Sequence, residues 1–363
     1  MIQTGGRIGA AALMALGLAV SASNTLAQAN TSVQIYGIVD AGVEYLNGVA
    51  DGGTKRTLFR LNPSNQVASR LGIRGKEDLG GGTSAVFNLE NGFSPDTGTT
   101  LQNGRLFGRA AVVGLEGNWG SVLIGRQRNT IFDLTLIYDP MAYGTYGFTA
   151  TDNAFFTQRP DNSIKYTFRQ GPISASALYS FGRDALTGAP PGSQSEVPGA
   201  SKIGRQVGAN VNYAAGPLSV GIGYDQQHGV TAALQSEIDR RLFVGASYVI
   251  SGTKLYAGFQ RRNNDIPAID LRSDLYWLGV KQALTSNLGF IASLSHTKEK
   301  HSPNKATLLG TSLYYDFSKR TQLYLNVGRS TNSGTSAQGV TGTTFALPGQ
   351  NMTGIVTGVM HRF

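Results

Sequence analysis

The chain has 363 residues, with 48 Gly and no Cys; 15% are charged, and 31 Lys and Arg against 22 Asp and Glu leave a formal charge of +9. Charge is well below the roughly 25% of soluble domains and glycine about twice its usual share, while the missing thiols exclude a disulfide scaffold and a thiolate metal site. No apolar run approaches the ~18 residues of a spanning helix, so a membrane crossing would require a closed barrel of strands.

Residues 1–29 read as a secretory signal: Arg7 is the sole charge, Ala10 to Val20 is apolar but too short to span, and Ala27-Gln28-Ala29 supplies a cleavage pattern. The competing reading, an N-terminal anchor, lacks a following stop-transfer pattern. Residues 30–363 then form one domain without a linker or a composition shift.

From Val33 onward the apolar residues repeat with a period of two, which predicts strands. The reading places them at 33–46, 69–79, 84–94, 105–117, 121–130, 162–170, 173–183, 203–215, 217–227, 238–251, 253–264, 272–284, 287–299, 305–317, 321–332 and 350–363, sixteen in all. In SRLGIRGKEDLGGG, Leu71 and Ile73 alternate with Arg70, Arg74 and Lys76. Further on, Ile164, Tyr166 and Phe168 oppose Lys165 and Arg169, and Leu218, Val220, Ile222 and Tyr224 oppose Ser219 and Asp225. Each strand therefore has one greasy and one polar face.

A soluble sandwich gives the same local beat. The connections argue against it, because they alternate between short turns, such as Gly80-Gly81-Gly82, Gly171-Pro172 and Ser251-Gly252, and longer polar links at 47–68, 184–202, 264–271 and 332–349. Short turns on one rim and long loops on the other are the pattern of an all-β, sixteen-stranded antiparallel transmembrane barrel, with short periplasmic turns and long extracellular loops. Strand 105–117 is the ambiguous one, since Val112 and Val113 fall on opposite faces.

The segments SVQIYGIVDAGVEY, SRLGIRGKEDLGGG with AVFNLENGF, LFGRAAVVGLEGNWGSVLIGRQ, NSIKY and the terminal GVMHRF resemble, in the same order, those of Gram-negative outer-membrane general porins of the betaproteobacterial type. The resemblance implies a homotrimer of barrels in the outer membrane, each narrowed by its third long loop folding inward, with passive diffusion of small hydrophilic solutes and a preference for anions. Membrane lipid and lipopolysaccharide are its implied surroundings. The terminal Phe363, sharing a face with Ile355, Thr357, Val359 and His361, resembles the tag read by the barrel assembly machinery through strand addition.

For the constriction, Arg70 and Lys165 lie on the polar face by parity and match basic positions of the family; Arg109 matches a third. Arg74, Lys76 and Arg126 are further lumen candidates, although Arg126 runs in phase with Val122 and Ile124. Glu90 faces inward and matches a family carboxylate. The third long loop, 129–161, is rich in aromatics (Phe132, Tyr138, Tyr143, Tyr146, Phe148, Phe155, Phe156), which suits a segment tucked into a lumen. Of its acids, Asp139 is the first choice for the constriction and Asp133 the second.

Several cations facing few acids in a narrow aqueous bore would concentrate anions. A substrate-specific channel with a saturable site is the alternative. An enzyme fits poorly: the four histidines, His228, His296, His301 and His361, stand in no metal or nucleophile motif, and neither a catalytic residue, a cofactor nor a metal is expected. No Lys/Arg-rich run or DNA-reading motif supports a nucleic-acid partner.

Overall fold

The computed structural model describes residues 31–148, 158–183, 196–266 and 271–363. The expected signal segment, and with it Asp152, Phe155 and Phe156 of the third loop, lies outside the described residues. Seventeen strand segments form one sheet. They are β1 Ser32–Asp51, β2 Thr54–Pro63, β3 Arg70–Gly80, β4 Thr83–Gly92, β5 Ala110–Gly117 and β6 Gly120–Arg126. Then follow β7 Ser163–Gln170, β8 Ile173–Ser180, β9 Gln206–Ala215, β10 Leu218–His228, β11 Ile238–Ile250 and β12 Thr253–Asn264. The last five are β13 Arg272–Ala283, β14 Leu288–Glu299, β15 Lys305–Asp316, β16 Thr321–Ser333 and β17 Met352–Arg362.

From β3 onward each segment pairs antiparallel with the next in sequence, and β1 closes the ring on β17, with Ile38 to Asn47 opposite Arg362 to Thr353. Phe363 completes the seam through paired backbone hydrogen bonds with Gly37, each 3.1 Å. A closed barrel leaves no free sheet edge, which is what a lipid environment without backbone partners demands.

Seventeen segments make sixteen staves because one stave is broken. The first half of β1 pairs with β3 (Ser32 opposite Lys76), and its second half pairs with β2 (Ala41 opposite Pro63). Thus β2 and β3 occupy one position in the wall, interrupted at Ser64 to Ser69. The 47–68 stretch, expected to be a loop, is instead mostly the upper half of a hairpin. Pro63 ends β2 because it has no N–H for the ladder. The interruption turns inward, where Asp40 accepts hydrogen bonds from the backbone N–H groups of Gln66 (2.6 Å) and Val67 (2.8 Å). Four other strands are shorter than expected: β5 begins at Ala110, β6 ends at Arg126, β8 ends at Ser180 and β9 begins at Gln206.

The solvent inversion read from alternation is present in the wall. Val33, Ile35, Val113, Ile222 and Leu278 are exposed on the outside, whereas Asp40, Glu44, Asp239, Arg241 and Arg262 are almost wholly buried within. Val112 faces inward and is buried while Val113, at 59% exposure, faces out, so the ambiguous strand keeps the same beat as its neighbours. Ring pairs at strand ends, Tyr179 with Phe181 and Tyr315 with Phe317, stand where an aromatic girdle meets the headgroups.

Candidate functional site

The chain leaves β6 and enters the barrel instead of crossing its rim. Asn129 caps helix α1, Thr130–Tyr138, by accepting from the Phe132 N–H at 2.7 Å. Pro140 stops it, since a proline disfavours helical geometry in the residue before it. The helix, TIFDLTLIY, carries no polar stripe, which is why no amphipathic period announced it: one side lies on the wall and the other borders the lumen. Asn210 donates to the Thr130 carbonyl (2.6 Å), Trp277 donates to that of Tyr138 (2.9 Å), and Tyr138 bonds Asn212 and Ser219.

What lets the loop lie so close is a belt of inward-facing glycines. A Cβ on Gly245 would lie 2.5 Å from Tyr138 Cγ, and one on Gly328 equally close to Tyr146 Cγ; Gly279 faces Pro140 and Gly354 faces the Tyr146 hydroxyl. Any larger residue at these positions would push the loop off the wall. The loop tip is then tied down. Thr145 donates its N–H to the Asn65 carbonyl in the break between β2 and β3 (2.6 Å), and Tyr146 donates to Glu44 (2.9 Å), which Arg60 also engages (2.6 Å). Leu46, Leu308, Met352 and Val356 bury the Tyr146 ring.

With the loop on the β9–β17 side, the open bore runs along β3 to β8. A cavity of about 520 Å³ is lined there by six cations, Arg70, Arg109, Arg128, Arg159, Lys165 and Arg169, against two carboxylates, Glu90 and Asp133. Arg109 bonds Glu90 at 2.7 Å and Arg70 approaches the same carboxylate at 3.8 Å, while Tyr36 donates to it at 2.9 Å. Across the bore, Asp133 on α1 accepts from Lys165 and lies 3.2 Å from Arg128. Arg159 stacks over Phe132 at 4.6 Å, and its buried Nε has no acceptor among the described residues. Burial, and then the charges of Arg109, Arg128 and Arg126, lower the pKa of the Arg159 guanidinium from its ordinary value.

Arg70, Arg109, Lys165 and Glu90 therefore meet in one cavity. Arg74 and Lys76 also face the lumen but lower on the wall, where Arg74 binds Gln34 (2.7 Å) and Lys76 pairs with Glu116 (2.7 Å). Two candidates are corrected. Arg126 does not line the cavity; it follows the outward phase of Ile124 and is held at the rim by Asp161 (2.6 Å) and the Gly108 carbonyl (2.7 Å). Asp139 is buried at the end of α1, its carboxylate accepting from the N–H groups of Met141 (3.0 Å) and Tyr143 (3.1 Å), so among the described residues the bore-facing loop acid is Asp133. Arg128, Arg159 and Arg169 were not singled out. Arg169 was available from the parity of β7; Arg128 and Arg159 lie off the strands, where parity says nothing.

Comparison with known proteins gives a consistent set of likenesses. Residues 9–335 match the family model described as Gram-negative porin. The chain is 32% identical to outer membrane porin protein 32 of Delftia acidovorans, over 96% of this chain and 99% of that one. It is 29% identical to an outer membrane porin protein of Bordetella pertussis, over 93% of this chain and 96% of that one. Among solved structures, the anion-selective porin from Comamonas acidovorans superposes with a TM-score of 0.78 at 28% identity, covering 92% of this chain and all of that one.

Proposed function

The chain belongs to the Gram-negative porin family and is an outer-membrane porin, and from that premise we propose that its bore passes small hydrophilic solutes with a preference for anions. The observation that carries this reading is the imbalance in the cavity beside the inward loop, where, among the described residues, six cations stand against two carboxylates. Inside a low-dielectric wall such a set raises the local concentration of anions. Long side chains held by Glu90 and Asp133 keep their charge in the aqueous path while their positions stay defined. The anion selectivity of the Comamonas relative supports the same sign.

We further propose that residues 1–29 are removed on export, that the mature chain forms a homotrimer, and that the Phe363 strand is what the assembly machinery reads. Among the described residues no group in the bore is arranged for covalent chemistry, and selection rests on field and width. Planar-bilayer recording of the refolded protein tests the reading. Conductance should appear in groups of three equal steps, grow in proportion to KCl concentration, and resist block by any one solute. Saturable block by a single solute would replace it with a substrate-specific channel.

A further inference from the structure

Helix α1 turns two kinds of side chain toward the bore. Asp133, Leu136 and Ile137 stand three and four residues apart, which places them on one face of the helix. Asp133 meets Lys165 across the cavity and so fixes that face as the lumen side. The other apolar residues of the helix are taken up by packing: Leu134 lies where Cβ atoms on Gly221 and Gly223 would be, Tyr138 lies against Gly245, and Ile131 joins Phe243, Leu275 and Trp277 in a buried cluster. Leu136 and Ile137 stand outside that cluster; both line the cavity, and Ile137 is 36% exposed.

The interior of a diffusion barrel is polar, and apolar surface left in its water carries a solvation cost that any apolar solute can relieve. The cations begin one helical turn away. Phe132 and Asp133 come four residues before Leu136 and Ile137, which sets the two groups about 6 Å apart along the helix. Arg128 and Arg159 lie over the Phe132 ring, at 5.8 Å and 4.6 Å from its centre. Arg128 also meets Asp133 at 3.2 Å, whereas Arg159 has no carboxylate within salt-bridge distance among the described residues. A cationic end and an apolar end are therefore separated by about the length of a benzoate ion.

Resting on the anion preference proposed above, we infer that this side of the bore favours small monocarboxylates with a compact apolar body. The carboxylate would lie on Arg159 and Arg128, and the body on Leu136 and Ile137. A hydroxylated carboxylate of the same size gains the first contact but must give up hydration to make the second, and that difference is what discriminates. Because the strip borders water on one side, it biases passage without a saturable hold.

The test is the reversal potential of the unmodified protein in planar bilayers, with chloride on one side and benzoate, cyclohexanecarboxylate or threonate on the other. Threonate matches benzoate in heavy atoms but carries hydroxyls in place of the ring. Relative to their mobilities in water, benzoate and cyclohexanecarboxylate should each pass about threefold more readily than threonate, less than the roughly tenfold or more that one methylene gives in a closed pocket. Leu136→Gln/Ile137→Asn, close in size to the original pair, should erase the difference, and Leu136→Met/Ile137→Leu should keep it. The comparison on the unmodified protein decides even where the polar pair fails to insert. Threonate passing as readily as benzoate, a preference for benzoate that cyclohexanecarboxylate does not share, or a preference that survives the polar pair would each overturn the assignment. Chloride crossing faster than potassium in the same bilayers keeps the anion reading in all of those cases, while potassium crossing faster would remove both.

Discussion

The two halves of the inner wall solve opposite problems. Along β3 to β8 the inward positions hold long charged side chains, Arg70, Lys165 and Arg169 among them, that line the cavity. Along β10 to β17 they shrink to glycine at Gly221, Gly245, Gly279, Gly328 and Gly354, and a loop lies where side chains would have been. On the proposed reading, one half sets the field and the other sets the width. Because the strands are the same kind of structure on both sides, much of the difference is made by which residues occupy the inward register, with Arg109, Arg128 and Arg159 added from irregular backbone.

The largest expected effect comes from inverting the first half alone. Arg70→Glu/Lys165→Glu should lower the anion-to-cation permeability ratio by about tenfold or more, since a shift of about 1.4 kcal/mol between the two ions' barriers is already a factor of ten. Zero-current potentials report the outcome. If the ratio hardly moves, the field does not reside in this wall.

Disturbing the second half alone should leave ion sign intact. Gly328→Leu puts a side chain where the Tyr146 ring lies and should cost about 1–3 kcal/mol of stability by overpacking. Thermal unfolding in detergent measures that, and single-channel conductance should fall as the loop tip is pushed from the wall toward the bore. A more stable variant with unchanged conductance would deny the glycine belt its role.

The smallest effect separates two acids of the same loop. Asp133→Asn removes a carboxylate beside Lys165 and Arg128 and should raise anion preference by about twofold, less than one full charge contact in water. Asp139→Asn should leave it unchanged, because that carboxylate is turned to backbone N–H groups. Equal effects on zero-current potential would erase the distinction.

The same division explains what could be read in advance. Arg70 and Lys165 sit in regular strands, so alternation placed them on the inner face. The broken stave escaped because Leu58, an inward leucine, interrupts the polar face of β2, and because Pro63-Ser64-Asn65 has the composition of a loop. The inward fold of the third loop was suggested by its aromatics, yet its helix was not, since a segment apolar all round lacks the period that marks an amphipathic helix. Arg109, Arg128 and Arg159 reach the bore from irregular backbone, where only tertiary packing assigns a direction; Arg109 was reached through resemblance alone.

The central claim is that the basic wall, more than the width of the bore, decides which ion passes. The zero-current potential of the unmodified protein across a steep KCl gradient tests it most directly. The account predicts a potential whose sign reports chloride crossing faster than potassium, weakening as salt rises and screening shortens the reach of the field. A potential of the opposite sign, or one indifferent to salt concentration, would contradict it.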